Sequence, residues 1–216
     1  MLVIFDWDGT LADSQSHIVA AMQLTIDELN FPTHSDNQCA AMIGLGLREV
    51  GKRLCSAASE SDIDQFCARY SHHFLALEQS QFALSLFEGA RETLDILRAN
   101  RHSLAIATGK SRRGLNRVLK ALDLEPLFVA TRAADETASK PNPLMLQALL
   151  DETGYAAQHA VMVGDTSYDM EMARAIGMPR VAATYGVHDV DILRAFKPAL
   201  IIDTIADIIQ WPEFYR

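Results

Sequence analysis

No stretch of this 216-residue chain reaches the ~18 consecutive apolar residues that a bilayer-spanning helix needs. Cysteine is scarce: Cys39, Cys55 and Cys67 are odd in number and lack metal-ligand or redox spacing, which removes a disulfide framework from consideration. Basic residues are few, 19 Lys and Arg against 28 Asp and Glu, and the formal net charge of -9 disfavours broad attraction to nucleic acid or to an anionic membrane. The basic, aromatic-interleaved pattern of a nucleic-acid surface is also missing. Met1-Leu2-Val3-Ile4-Phe5 runs straight into Asp6 with no basic region or long apolar stretch, so no secretory signal is read there. Internal repeats and low-complexity segments are absent. These absences lead to the expectation of a cytoplasmic protein with reduced thiols and with neither nucleic acid nor membrane as partner. They leave an anionic substrate open, because a bound divalent cation reverses the sign of a small acidic site.

What is present is an ordinary globular composition, 49% hydrophobic and 22% charged, long enough for one core or a core with a small accessory domain. Short apolar runs at Leu2–Phe5, Ser103–Ala107, Leu127–Ala130, Ala160–Val163, Arg180–Ala183 and Ala199–Ile202 read as strands. Helical patterns at about 89–100, 111–123, 143–153, 168–177, 189–196 and 204–210 follow them. The alternation predicts an α/β protein with a doubly wound, Rossmann-like parallel sheet, buried on both faces. Between the first strand and the helix near Gly89, segments 15–30, 37–57 and 60–82 read as helices instead. A helical insertion over 14–84, carried on a core of 1–13 and 85–216, is the simplest account. It would sit at the C-terminal edge of the sheet, where open α/β folds bind ligands.

Four elements carry the chemistry, three of them at strand exits. Asp6-Trp7-Asp8-Gly9-Thr10 puts two carboxylates on the same side of the chain, which needs a cation or a shared proton; a pair of helix-capping loop acids is the bland alternative. Gly164-Asp165-Thr166-Ser167-Tyr168-Asp169 adds two acids four residues apart, able to share a face as a helix begins. An oxygen-only ligand set suits a hard ion such as Mg²⁺ rather than Zn²⁺. Ala107-Thr108-Gly109-Lys110 offers a hydroxyl and free N–H groups for phosphate oxygens. Lys140-Pro141-Asn142-Pro143 holds a lysine just outside a helix opened by Pro143.

In this order and context the motifs resemble the haloacid dehalogenase superfamily, in its phosphatase and phosphomutase branch, and the resemblance covers nearly the whole chain. It implies Asp6 as nucleophile through an aspartyl-phosphate and Asp8 as general acid and base. It implies Mg²⁺ on Asp6, Asp165 and the main-chain carbonyl of Asp8, with Asp169 in support. Thr108, Gly109 and Lys140 would neutralise phosphoryl oxygens, and Thr10 would order the loop that bears Asp8. An acid two residues after the nucleophile points to phosphate esters, since dehalogenase-like members lack it.

The insertion looks like the family's helical cap, which selects the leaving group. Met42-Ile43-Gly44-Leu45-Gly46-Leu47 resembles its specificity loop, and Arg48 just after it is the candidate to reach a carboxylate or second phosphate, with local surface pairing as the alternative. The Gly-Leu-Gly-Leu-Arg stretch resembles phosphoglycolate phosphatase-like members most. The expected activity is hydrolysis of a small phosphorylated metabolite. A β-phosphoglucomutase-like sugar phosphomutase and an inorganic pyrophosphatase are the alternatives on the same plan. A binding protein on a retired fold is disfavoured, because none of Asp6, Asp8, Lys140 and Asp165 is lost. Tyr185-Gly186-Val187-His188 reads either as cleft lining or as an ordinary turn.

Overall fold

The computed structural model describes residues 1–80 and 85–215. In chain order the elements are β1 (Leu2–Phe5), β2 (Ala12–Asp13), α1 (Gln15–Leu29), α2 (Asp36–Ala40), α3 (Leu47–Leu54), α4 (Glu60–Ser80), β3 (Ser85–Leu86), α5 (Ala90–Ala99), β4 (Ser103–Thr108), α6 (Arg112–Ala121), β5 (Phe128–Ala133), α7 (Leu144–Thr153), β6 (Ala160–Gly164), α8 (Ser167–Ala175), β7 (Arg180–Ala183), α9 (Val190–Arg194) and β8 (Leu200–Ile202).

Six strands form one parallel sheet in the order β5-β4-β1-β6-β7-β8. β1 lies between β4 and β6, with Phe5 opposite both Ile106 and Val163. Side chains alternate across a strand, so Val3 and Phe5 pack with Leu94, Leu97 and Leu115 of α5 and α6, while Leu2 and Ile4 pack with Met145, Leu149 and Met172 of α7 and α8. Both faces are covered, which is why β1 reads as an unbroken apolar run. The sheet order reverses at β1, and its C-terminal edge there is the crevice of a doubly wound fold.

Helices α1 to α4 lie between β2 and β3 and have an apolar cluster of their own, built around Ile18, Met22, Ile26, Val50, Leu54 and Phe66. Phe31, Phe66, Tyr70 and Phe74 stack in a file at centroid spacings of 5.9, 6.3 and 5.8 Å. The single helix expected over 37–57 is two helices, α2 and α3, separated by a turn at 41–46. Gly44 sits there at φ +98, outside the helical range. Positions 81 and 82 of the helix expected over 60–82 lie outside the described residues. The helix expected at 204–210 is a 3-10 turn, Ile205–Gln210.

One pairing has no sequence signal. β2 and β3 join antiparallel, Ala12 opposite Leu86 and Asp13 opposite Ser85, and the Phe87 N–H donates to the Leu11 carbonyl at 3.0 Å. The chain leaving β1 is thus tied to the chain returning to α5. Two-residue strands are too short for alternation to register. Among the described residues no helix is long and apolar enough to cross a membrane.

Candidate active site

Parallel strands deliver their following residues to one edge, and three acids meet there. Asp6 follows β1, Asp165 follows β6 and Asp169 lies in the first turn of α8; one carboxylate oxygen from each falls within 4.8 Å of the others, and all three side chains are buried. Local bonds fix each one. Thr10 Oγ1 donates to Asp165 Oδ1 at 2.7 Å and the Val187 N–H to Oδ2 at 2.8 Å. Asp169 closes a capping box with Thr166, whose hydroxyl donates to Oδ2 at 2.7 Å. The buried ammonium of Lys140 bridges Asp169 Oδ1 at 2.7 Å and Asp6 Oδ1 at 2.8 Å. Asp6 Oδ1 also accepts from the Trp7 N–H at 2.6 Å. The second oxygen, Asp6 Oδ2, is buried and has no hydrogen-bond partner.

Such crowding moves proton affinities. Burial, with the charges of Asp169 and Asp165, pushes the Asp6 carboxyl well above the usual range against the pull of Lys140. Burial and Asp169 raise Asp165 to about 7, although the Val187 N–H and Thr10 oppose them. Burial works against the charge of Lys140, but Asp169 and Asp6 outweigh it and hold its ammonium above the ordinary lysine range. One ammonium does not balance three carboxylates. The orphaned Asp6 Oδ2 and an oxygen-only donor set fit a hard divalent cation such as Mg²⁺.

The Asp8 side chain stands apart from the three acids and faces a cavity. Ser14 Oγ donates to its Oδ1 at 2.7 Å and Lys110 Nζ at 2.8 Å. Neither Ser14 nor Lys110 has an assigned role in the sequence reading. Lys110 closes the Thr108-Gly109-Lys110 run, so its position was visible; its partner, 102 residues away, was not. Thr108 is buried at the end of β4, where its Oγ1 accepts from the Lys110 N–H at 3.2 Å. Gly109 lies against the 41–46 turn so closely that a Cβ there would stand 2.5 Å from the Gly44 carbonyl oxygen. That junction is also held by the Gly46 N–H on Ser139 Oγ at 2.8 Å and by the Tyr168 hydroxyl on the Ala41 carbonyl at 2.9 Å.

Arg48 lies on the cavity wall, but its guanidinium is half-exposed and bound to Glu60 and Asp64 of α4. The local pairing, not a group left open for an anion, describes it. The 185–188 run is more than a turn: the Tyr185 hydroxyl donates to the Thr10 carbonyl at 3.0 Å, the Val187 N–H holds Asp165, and His188 accepts from the Ser167 N–H at 3.0 Å.

The family model described as haloacid dehalogenase-like hydrolase matches residues 3–183. "Probable phosphatase IndB" of Dickeya dadantii is 33% identical over 210 residues, covering 96% of this chain and 91% of its own. A phosphoglycolate phosphatase of Aliivibrio fischeri is 30% identical over 211 residues, covering 94% and 92%. The crystal structure of a predicted phosphoglycolate phosphatase from Haemophilus somnus superposes with a TM-score of 0.85 at 25% identity, over 97% of this chain and 96% of that one.

Proposed function

The chain belongs to the haloacid dehalogenase-like hydrolases and is a phosphatase, and from that premise we propose that it hydrolyses a small-molecule phosphate monoester through an acyl phosphate on Asp6. The observation that carries this reading is Asp6 Oδ2: a buried carboxylate oxygen without a partner, beside an ammonium and two further acids. In this proposal residues 14–84 form the cap that covers the site, and residues 1–13 and 85–216 the catalytic core.

Asp6 Oδ2 attacks phosphorus in line as the bond to the ester oxygen breaks. Asp8 gives its proton to the departing alkoxide. Ser14 and Lys110 both donate to Asp8 Oδ1 and fix the group on the cavity side, leaving Oδ2 to carry the proton given to the alkoxide. Asp8 then takes a proton from water, which attacks phosphorus, breaks the acyl phosphate and returns Asp6. Lys140, Thr108 and the Gly109 N–H hold the phosphoryl oxygens as charge shifts among them. Mg²⁺ on Asp6, Asp165 and the Asp8 main-chain carbonyl, with Asp169 behind, would supply neutralising charge to the carboxylates and the phosphoryl oxygens. Thr10 joins the loop bearing Asp8 to Asp165.

Phosphate release from 2-phosphoglycolate, pyrophosphate, several sugar phosphates and an aryl phosphate tests the reading, with Mg²⁺ or with EDTA and with Asp6→Asn alongside. Metal-dependent release that disappears in the variant supports it. Release that survives EDTA or Asp6→Asn sinks it.

A further inference from the structure

Resting on the phosphatase reading above, we infer that the leaving group is a bulky, uncharged alcohol carrying a planar ring, not a small carboxylate or a second phosphate. Asp8 opens onto a cavity of about 620 Å³ between the helical unit and the sheet edge. That is the size of a pocket for a drug-sized ligand and equals the liquid volume of about twenty waters. A molecule as small as 2-phosphoglycolate would leave most of it to solvent.

Part of the cavity wall is apolar and aromatic. Ile18 and Met22 of α1, Met42 of the turn, and Tyr70 and Phe74 of α4 contribute to it. Tyr70 and Phe74 are stacked on each other, so a ring entering the cavity beside them would meet aromatic ring edges and polarisable methionine sulfur.

Four basic side chains around the cavity, Arg48, Lys52, Lys110 and Arg117, are committed to partners. Arg48 holds Glu60 and Asp64, Lys52 holds Glu60 at 2.9 Å and Arg117 holds Glu78 at 2.9 Å. Lys110 sits between Asp8 at 2.8 Å and the face of Phe74 at 4.9 Å. Arg113 is exposed, on the first turn of α6. A second anionic group on the leaving alcohol would have to break one of these pairs, lie beside Asp8, or rely on Arg113 alone, whose exposed guanidinium is screened by solvent. An uncharged ring breaks none of them, and its burial against the wall is favourable.

The test compares kcat/KM of the wild-type enzyme with Mg²⁺ for benzyl phosphate and a nucleoside 5′-monophosphate against 2-phosphoglycolate and pyrophosphate, with an aryl phosphate as a reactive control. The ring-bearing esters should lead by at least tenfold. Parity, or a lead for 2-phosphoglycolate or pyrophosphate, overturns the inference while leaving the phosphatase intact. Metal-dependent release from none of the compounds refutes the phosphatase reading and this inference with it. Phe74→Leu keeps an apolar core position but removes the aromatic ring from the wall, and Tyr70→Leu does the same one turn earlier. Either should cut kcat/KM for benzyl phosphate about tenfold and for 2-phosphoglycolate by clearly less. Equal losses for both substrates in a folded variant would contradict the assignment.

Discussion

Adding Mg²⁺ should stabilise this protein strongly at pH 8 and hardly at all at pH 5. Without metal, burial and Asp169 hold the Asp165 carboxyl at about 7, against about 3.9 in an unfolded chain. A folded-state value raised in this way means that the folded protein keeps the proton more tightly. Its contribution to stability is full below about pH 4 and is lost as pH rises to about 7, a loss of roughly 4 kcal/mol. A divalent cation returns that stability only where the carboxylates are free of protons. At a concentration about 100 times its Kd, metal contributes about 2.7 kcal/mol. For a chain of this size that is roughly 5–11 °C in Tm. At pH 5 the proton on Asp165 must first be displaced, at a cost of about 2.7 kcal/mol, which cancels the gain. Thermal unfolding at both pH values, with Mg²⁺ or EDTA, reads the difference directly, because titrations away from the metal ligands affect both arms alike. The raised carboxyl of Asp6 acts in the same direction as that of Asp165. Equal metal-dependent shifts at pH 5 and pH 8, or none at pH 8, would refute the reasoning. Asp165→Asn should abolish the shift at both.

Three further outcomes follow from particular contacts. Lys110→Met leaves Asp8 held by Ser14 alone, so turnover of alkyl phosphates should fall about 10²-fold, the low end for acid–base catalysis. 4-Nitrophenyl phosphate, whose leaving group needs no proton, should fall much less; steady-state kinetics on both esters checks this. Gly109→Ala places a Cβ 2.5 Å from the Gly44 carbonyl and 2.7 Å from that of Leu45, and should raise KM and lower kcat by about tenfold or more. Arg48→Ala breaks exposed ion pairs, so kcat/KM should change less than threefold and the denaturant midpoint should barely move.

Much of the architecture was readable because a parallel sheet converts sequence order into place. Every apolar run of β1, β4 and β6 ends on a chemistry-bearing residue, and the sheet delivers those ends to one edge. Asp6 and Asp165 could be listed from strand exits, Asp169 from its spacing to Asp165 and Lys140 from its place before the helix opened by Pro143. The structure gathers the three acids, with Lys140 bridging Asp6 and Asp169. What stayed hidden depends on packing between distant segments. Arg48 looked available until α4 brought Glu60 and Asp64 against it, and Lys110 gained Asp8 only when β4 lay beside β1. The β2–β3 tie escaped because two residues show no period, whereas the break between α2 and α3 falls in the Met42–Leu47 stretch whose glycines already mark a loop, although apolar spacing carries a helix across 37–57.

The central claim is that Asp6 carries the phosphoryl group. Enzyme mixed with Mg²⁺ and a ³²P-labelled phosphate ester, quenched in acid within one turnover and digested, should yield one hydroxylamine-sensitive labelled peptide that contains Asp6. That label should be missing from Asp6→Asn. Rapid labelled phosphate release in wild type with no label on protein at any quench time, or label on a different residue, would contradict the account.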